Sequence, residues 1–321
     1  STKLAKFRST MLNLNSFRSY FSRNYDLYLL LIPGLVYALI FKILPMLGIS
    51  IAFVDYNMFA GSNPIKAILN SEFVGWKNFA RVFRKAEFLQ ALRNPFTISF
   101  MKIVFVFPLP ILVAMVIHSI GCARFKKTVQ TIIYLPHFFS WVVVSGIFMS
   151  ILSSTGIVNT ALKNWGLIDE PVLFFMDHGV FRWLLVFTDA WKEVGWGTIV
   201  YLAALTGLDQ ELYEAAYVDG AGRFRVIWHI TIPSLLPTYF VLLMMNVANF
   251  LNNGVDQYYV FQNAFNKDKI QVLDLYVYNL GLGSGSYSLA TAISIMKSIV
   301  SLTLLFTVNT LSKTLRGESI I

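Results

Sequence analysis

An all-helical integral membrane protein is the fold class this sequence predicts, on three observations. Apolar residues make up 56% of the 321-residue chain and charged residues only 13%, where a soluble domain is about a quarter charged. The apolar excess lies in runs long enough to cross a bilayer, which takes about 20 residues per helix. Much of the Lys and Arg surplus behind the net charge of +9 gathers in the N-terminal tail and one short loop, a pattern of membrane topology rather than of nucleic-acid binding. The lone Cys122 excludes an internal disulfide, and His118, His137, His178 and His229 are too scattered for a metal site.

Six candidate spans follow in order, at 28–53, 96–120, 128–152, 183–208, 235–253 and 289–315. The first is longer than a signal-peptide core and no small-residue cleavage pattern follows it, so it is expected to stay as an anchor. Pro33, Pro45, Pro108, Pro110 and Pro136 inside the spans imply kinks, which neighbouring helices tolerate in a membrane. Lys3, Lys6, Arg8, Arg18 and Arg23 precede span one, Arg124, Lys126 and Lys127 sit between spans two and three, and Lys313 and Arg316 lie at the C-terminal end. With six spans all three groups share one side, expected to be the cytoplasm. The outer loop 54–95 is also basic, but long loops follow the rule less strictly. Within it, "VGWKNFARVFRKAEFLQALRN" reads as one amphipathic helix on the outer face. It and the loop 255–288 form a candidate docking face for an outside partner.

Between spans four and five the chain breaks from apolar runs into "ELYEAAYVDGAG". The loop 209–234 predicts a short helix with Leu212, Ala215 and Ala216 on one face, capped by Asp209. Gly220 and Gly222 permit a sharp turn. "RFRVIWHI" predicts a second short helix, which Pro233 is expected to close. Small residues on an exposed helix let another backbone come close, so the unit reads as a plug shaped for a cleft, or as a helix that merely packs on the membrane surface.

Glu214-Ala215-Ala216, three residues, Gly220, nine residues, then Ile230-Thr231-Ile232-Pro233 resembles the signature loop of permease subunits in binding-protein-dependent ABC importers. Ile232 stands where leucine is usual. "FPLPILVAMVI", "QTIIYLPHFFSWVVVSGI", "WKEVGWGTIVYLAAL" and "YSLATAISIMKSIV" are similar to the carbohydrate branch, more narrowly to LplB-type polysaccharide permeases, the group containing an alginate importer's subunit. The resemblance implies a type I permease fold with a cytoplasmic tail 1–26, a six-span permease domain 27–315 and a cytoplasmic end 316–321. It also implies an ATPase-coupling set of Glu214, Ala215, Ala216, Asp219, Gly220 and Ala221. The implied assembly, in a bacterial inner membrane, has a second, different permease, two ATPase subunits and an extracytoplasmic solute-binding protein that delivers an oligosaccharide. The chain has no G-x-x-x-x-G-K-[ST] loop, so ATP and its magnesium are expected in the ATPase subunits and no cofactor in this chain.

Polar residues within spans are candidates for the substrate path. Asp189, Lys192 and Glu193 share one helix face in span four, with Asp189 about 9 Å deep; they read equally as a self-neutralising set. Asn246, Asn249 and Asn253 form a stripe in span five with Asn252 beside it, suited to sugar hydroxyls or to interhelical bonds. Lys297, about 12 Å deep in span six, pairs with an acid or meets an acidic sugar. Lys42 and Lys102 read as snorkelling near span ends, and His137 as a polar contact at a kink. A membrane enzyme is disfavoured because neither H-E-x-x-H nor G-x-S-x-G occurs, an ion-coupled transporter because no inverted repeat is evident. A permease for a non-sugar solute rests on the same loop and lacks only the sugar-branch motifs.

Overall fold

The computed structural model describes residues 23–316; Lys3, Lys6, Arg8 and Arg18 of the tail, and residues 317–321, lie outside the described residues. Helix α1 (Tyr25–Phe53) is followed by α2 (Ala86–His118), α3 (Ala123–Phe138) and α4 (Trp141–Ile151). Then come α5 (His178–Thr206), α6 (Gln210–Val218), α7 (Arg223–Ala248) and α8 (Tyr287–Arg316). The described strands are two-residue pieces, β1 (Val54–Asp55) and β2 (Glu72–Phe73), paired antiparallel.

By length and composition α1, α2, α7 and α8 can cross a membrane, and α3 with α4 makes a fifth crossing if the bent pair is one span. The other candidate, α5, is long enough at 29 residues but carries Arg182, Asp189, Lys192 and Glu193.

Several expected boundaries move. Span two starts at Ala86 rather than 96, and span five runs from Arg223 to Ala248 rather than from 235 to 253. Span three is not straight, because α3 and α4 meet at 101°. There Pro136 sits in a 3-10 turn, Phe139 is extended, and Ser140 caps α4 by accepting from Val143 N–H at 3.3 Å. Pro233 does not close a unit. It lies in the first turn of the α7 segment Ile232–Ala248, immediately after a π-turn, Ile227–Thr231.

That arrangement recurs. Pro45 and Pro108 also follow π-turns, at Leu39–Ile43 and Lys102–Val106. A proline has no N–H for the carbonyl four residues back and its ring crowds that carbonyl. In each π-turn an N–H bonds five residues back instead, as Phe107 N–H does to the Lys102 carbonyl at 2.9 Å, and the rod continues.

Three apolar clusters hold the bundle. Ile111, Ala114 and Ile117 of α2 pack with Tyr201, Leu202 and Leu205 of α5 and Leu235 of α7. In the second, Ile98, Val144, Phe181 and Leu185 pack with Tyr258, Phe261, Ile270, Val272 and Leu275. The third joins Ala52, Phe79, Val82, Phe88 and Ala91 to Leu273, Tyr276, Ala292 and Ile293. The stretch 255–288 is therefore not a peripheral loop: its short helices Asp256–Phe261, Lys267–Ile270 and Leu273–Tyr278 put Tyr258, Phe261, Ile270, Leu273 and Leu275 into the core. The expected outer amphipathic helix likewise divides into Lys77–Phe83 and the first turns of α2, and its apolar face packs on α8. By contrast, no described residue of α1 before Ala52 is buried.

Gly195 lets α5 touch α3: a Cβ there would lie 2.0 Å from the Ile133 carbonyl oxygen, whereas one at Gly34 meets nothing within 4 Å. Gly195→Ala should destabilise the bundle by about 1–3 kcal/mol, as overpacking does, and lower the unfolding temperature in detergent. Gly34→Ala should leave it unchanged or raise it. Equal unfolding temperatures for both variants would contradict this close packing.

Candidate functional site

Two features stand out, a protruding helix–turn and a polar cavity. The helix is α6. Asp209 Oδ1 accepts from Glu211 N–H at 2.9 Å, and Glu211 adds a carboxylate to the positive end of the helix dipole. None of its residues is buried. It ends in a Schellman turn: Gly220 N–H donates to the Tyr217 carbonyl (3.1 Å) and Ala221 N–H to the Ala216 carbonyl (2.9 Å). Gly220 has φ +76, a conformation that side chains resist. Gly222 contributes no such turn, since at φ −71 it is the N-cap of α7. Glu214, Ala215 and Asp219 are exposed, and Ala216 and Ala221 half-buried. Tyr213 Oη lies 3.2 Å from Thr231 Oγ1, fastening α6 to α7. Around the turn Val218, Phe224 and Trp228 stand exposed at 87%, 90% and 68%, an apolar rim that the alanine pattern alone did not disclose.

The cavity lies between α2, α5 and the end of α7 and measures about 460 Å³. Its polar lining includes Ser99, Lys102, Asp189, Glu193 and the asparagines 246, 249, 252 and 253; Val106, Phe107, Pro110 and Leu242 are among its apolar walls. Of the residues singled out by sequence, Asp189, Glu193, Asn249 and Asn253 meet here, while Lys192 and Lys297 do not. The asparagines do not form a helical stripe. The α7 helix stops at Ala248, Asn249 is its C-cap, and the turn beyond carries Asn252 and Asn253 back to the cavity. Asn252 Nδ2 donates to Asn249 Oδ1 at 2.9 Å, and Asn253 Oδ1 lies 3.1 Å from Ser99 Oγ and accepts from Tyr258 Oη (3.2 Å).

Lys102 is the residue that sequence reasoning misplaced. With α2 starting at Ala86 it lies about 24 Å along the helix, far from an end, and it donates to Asp189 Oδ1 at 2.8 Å and to Gln257 Oε1 at 3.0 Å. Pro95, tolerated inside α2, is the signal that would have moved the boundary. Asp189, Lys192 and Glu193 are consequently not one self-neutralising set. Asp189 belongs to Lys102, and Lys192 lies 3.2 Å from Glu193 Oε1 while donating to the His137 carbonyl at 2.5 Å. His137 Nδ1 sits 2.7 Å from Glu193 Oε2 and its ring stacks on Trp196 at 4.4 Å, so the histidine is a contact at the α3–α4 bend. Lys297 pairs with Asp274, whose other oxygen accepts from Gly254 N–H at 3.0 Å; this joins α8 to the chain after α7.

A polytopic bundle with a polar cavity between its helices and one capped helix–turn protruding from it has the make-up of a transport permease. The chain belongs to the family described as binding-protein-dependent transport system inner membrane component, which matches residues 9–316. It is therefore a multi-pass membrane protein. It is 42% identical to Protein LplB of Bacillus subtilis over 295 residues, 92% of this chain and 90% of that one. It is 41% identical to the polygalacturonan/rhamnogalacturonan transport system permease protein YteP of the same organism, over 92% of this chain and 89% of that one. Its fold superposes with TM-score 0.83 and 34% identity, over 94% of this chain and 99% of the other, on a crystal structure of a bacterial ABC transporter involved in import of the acidic polysaccharide alginate.

The side chains of Lys102 and Asp189 are 20% and 18% exposed, so removing one partner should cost less than the about 3–5 kcal/mol that a fully buried pair loses. Lys102→Met should lower the unfolding temperature, and adding Asp189→Leu should recover most of the loss. Additive losses in this double-mutant cycle would show that the two side chains do not interact.

Proposed function

We propose that this chain is the permease subunit of an ATP-driven importer that moves an oligosaccharide, uronate-containing in its natural form, across a bacterial inner membrane. The observation that carries the reading is the cavity: four asparagines and a hydroxyl face it beside a Lys102–Asp189 pair. Amides and hydroxyls match sugar hydroxyls in both donor and acceptor roles. A uronate carboxylate can replace Asp189 on the Lys102 ammonium, keeping the charge paired as it passes. Relatives that handle polygalacturonan/rhamnogalacturonan and alginate support the same chemistry.

A solute-binding protein delivers the sugar from outside; a related importer has been crystallised with its alginate pentasaccharide-bound periplasmic protein. A different permease chain completes the path, and two ATPase subunits bind ATP and magnesium. The α6 plug, with Glu214, Ala215, Ala216, Asp219, Gly220 and Ala221, docks on an ATPase subunit and takes up its closure. Both termini and the loop around Lys126 face the cytoplasm.

The test is uptake into proteoliposomes holding the four-part complex. Oligogalacturonate or oligomannuronate should enter only with ATP and the binding protein; uptake of amino acids but of no sugar would overturn the reading. In that system Gly220→Val, Glu214→Lys and Ala216→Trp should each return ATP hydrolysis to near its unstimulated rate and weaken pull-down of the ATPase, with substrate binding to the binding protein unchanged. Full stimulation in all three would leave α6 an ordinary surface helix. For topology, Lys126→Cys on a Cys122→Ser background should resist impermeant maleimide added to intact cells.

A further inference from the structure

A second cavity, about 540 Å³, adjoins the same α5 step. Glu193 lines the first cavity and its neighbour Lys192 the second, so consecutive residues of one helix face both. Rings dominate the second. Trp141 begins α4 at the bend, Tyr259 comes from the short helix Asp256–Phe261, and Tyr278 ends the helix Leu273–Tyr278. Tyr259 and Tyr278 meet edge to face at 5.3 Å and are 52% and 37% exposed, so ring surface is open to the cavity. The polar groups are few. Lys192, 6% exposed, lies 5.7 Å from the centre of the Trp141 ring, and the exposed Asp256 carboxylate and Ser140 hydroxyl lie at the cavity edge.

We infer that this aromatic cavity is a second sugar station, which holds a pyranose ring of an oligosaccharide whose neighbouring units occupy the asparagine-lined cavity. The inference rests on the oligosaccharide reading above. A pyranose presents an apolar C–H face to an aromatic ring and hydroxyls at its rim, and this cavity offers stacking surface with a carboxylate and a hydroxyl at its edge. The size argues likewise: the first cavity, at about 460 Å³, is in the range that a drug-sized ligand fills, so a longer oligosaccharide extends beyond it. Placing the rings of Trp141 and Tyr259 beside the elbow and the core helix 256–261 also fixes them on packed elements rather than on a free loop.

The experiment is uptake by the reconstituted complex with its partner permease, ATPases and binding protein, using oligogalacturonate and oligomannuronate disaccharides and pentasaccharides. Tyr259→Ala should raise the half-saturating concentration of the pentasaccharides about tenfold, the loss of one stacking contact. The disaccharides should change little, and Tyr259→Trp should restore the pentasaccharides. Equal effects at both lengths, or none, would overturn the second station while leaving the permease reading intact. Loss of the partner permease from the purified Tyr259→Ala complex would likewise overturn it and assign the cavity to a subunit contact. A wild-type complex that moves no sugar of either length refutes the oligosaccharide reading itself, and the station with it.

Discussion

Hydrocarbon offers no water, so each amide, carbonyl and charge within it must find its partner inside the protein. That requirement organises this molecule more than its apolar packing does. Lys102 meets Asp189 and Gln257, Lys297 meets Asp274, and Lys192 meets a backbone carbonyl at the elbow. Each joins elements far apart in sequence, so the costly groups also tie the bundle together. The π-turns before Pro45, Pro108 and Pro233 answer the same demand on the backbone, by redirecting hydrogen bonds where a proline withholds its N–H.

How much of this could be read from sequence depended on the range of the interaction. The cap by Asp209, the helix after it and the turn at Gly220 are settled by residues within a dozen positions, and all three were legible. So was the membrane class, because hydropathy sums over each run. Lys102 was not, because its place depends on whether α2 begins near Pro95 or passes through it, which tertiary packing decides. The chain from Asp256 to Tyr278 was also missed as core. Its buried Tyr258, Phe261, Ile270 and Leu275 come in short runs between polar residues and make no long hydropathic signal. The asparagine stripe was read with the right residues but the wrong backbone, since helical spacing cannot foresee a C-cap at Asn249.

Polar groups in the cavity are fixed by the same economy of partners. Asn253 Oδ1 lies 3.1 Å from Ser99 Oγ on α2 and accepts from Tyr258 Oη on the core helix, so two elements together set its orientation. Ser99 Oγ also lies 2.6 Å from the Phe250 carbonyl, which holds the turn after α7 against α2. The amides are thus presented to the cavity by a braced turn rather than by a loose loop.

Because α7 runs on through its π-turn, Pro233 and Pro237, it is a continuous lever. Its 26 residues span about 39 Å at the usual rise. One end receives the Schellman turn and the Tyr213–Thr231 contact; the other ends at the cavity wall with Asn246 and Asn249. Over that length a tilt of about 5° at the plug displaces the far end by about 3 Å, the size of a hydrogen bond. A small rotation imposed on one surface is thereby read out as making or breaking contacts at a distant one.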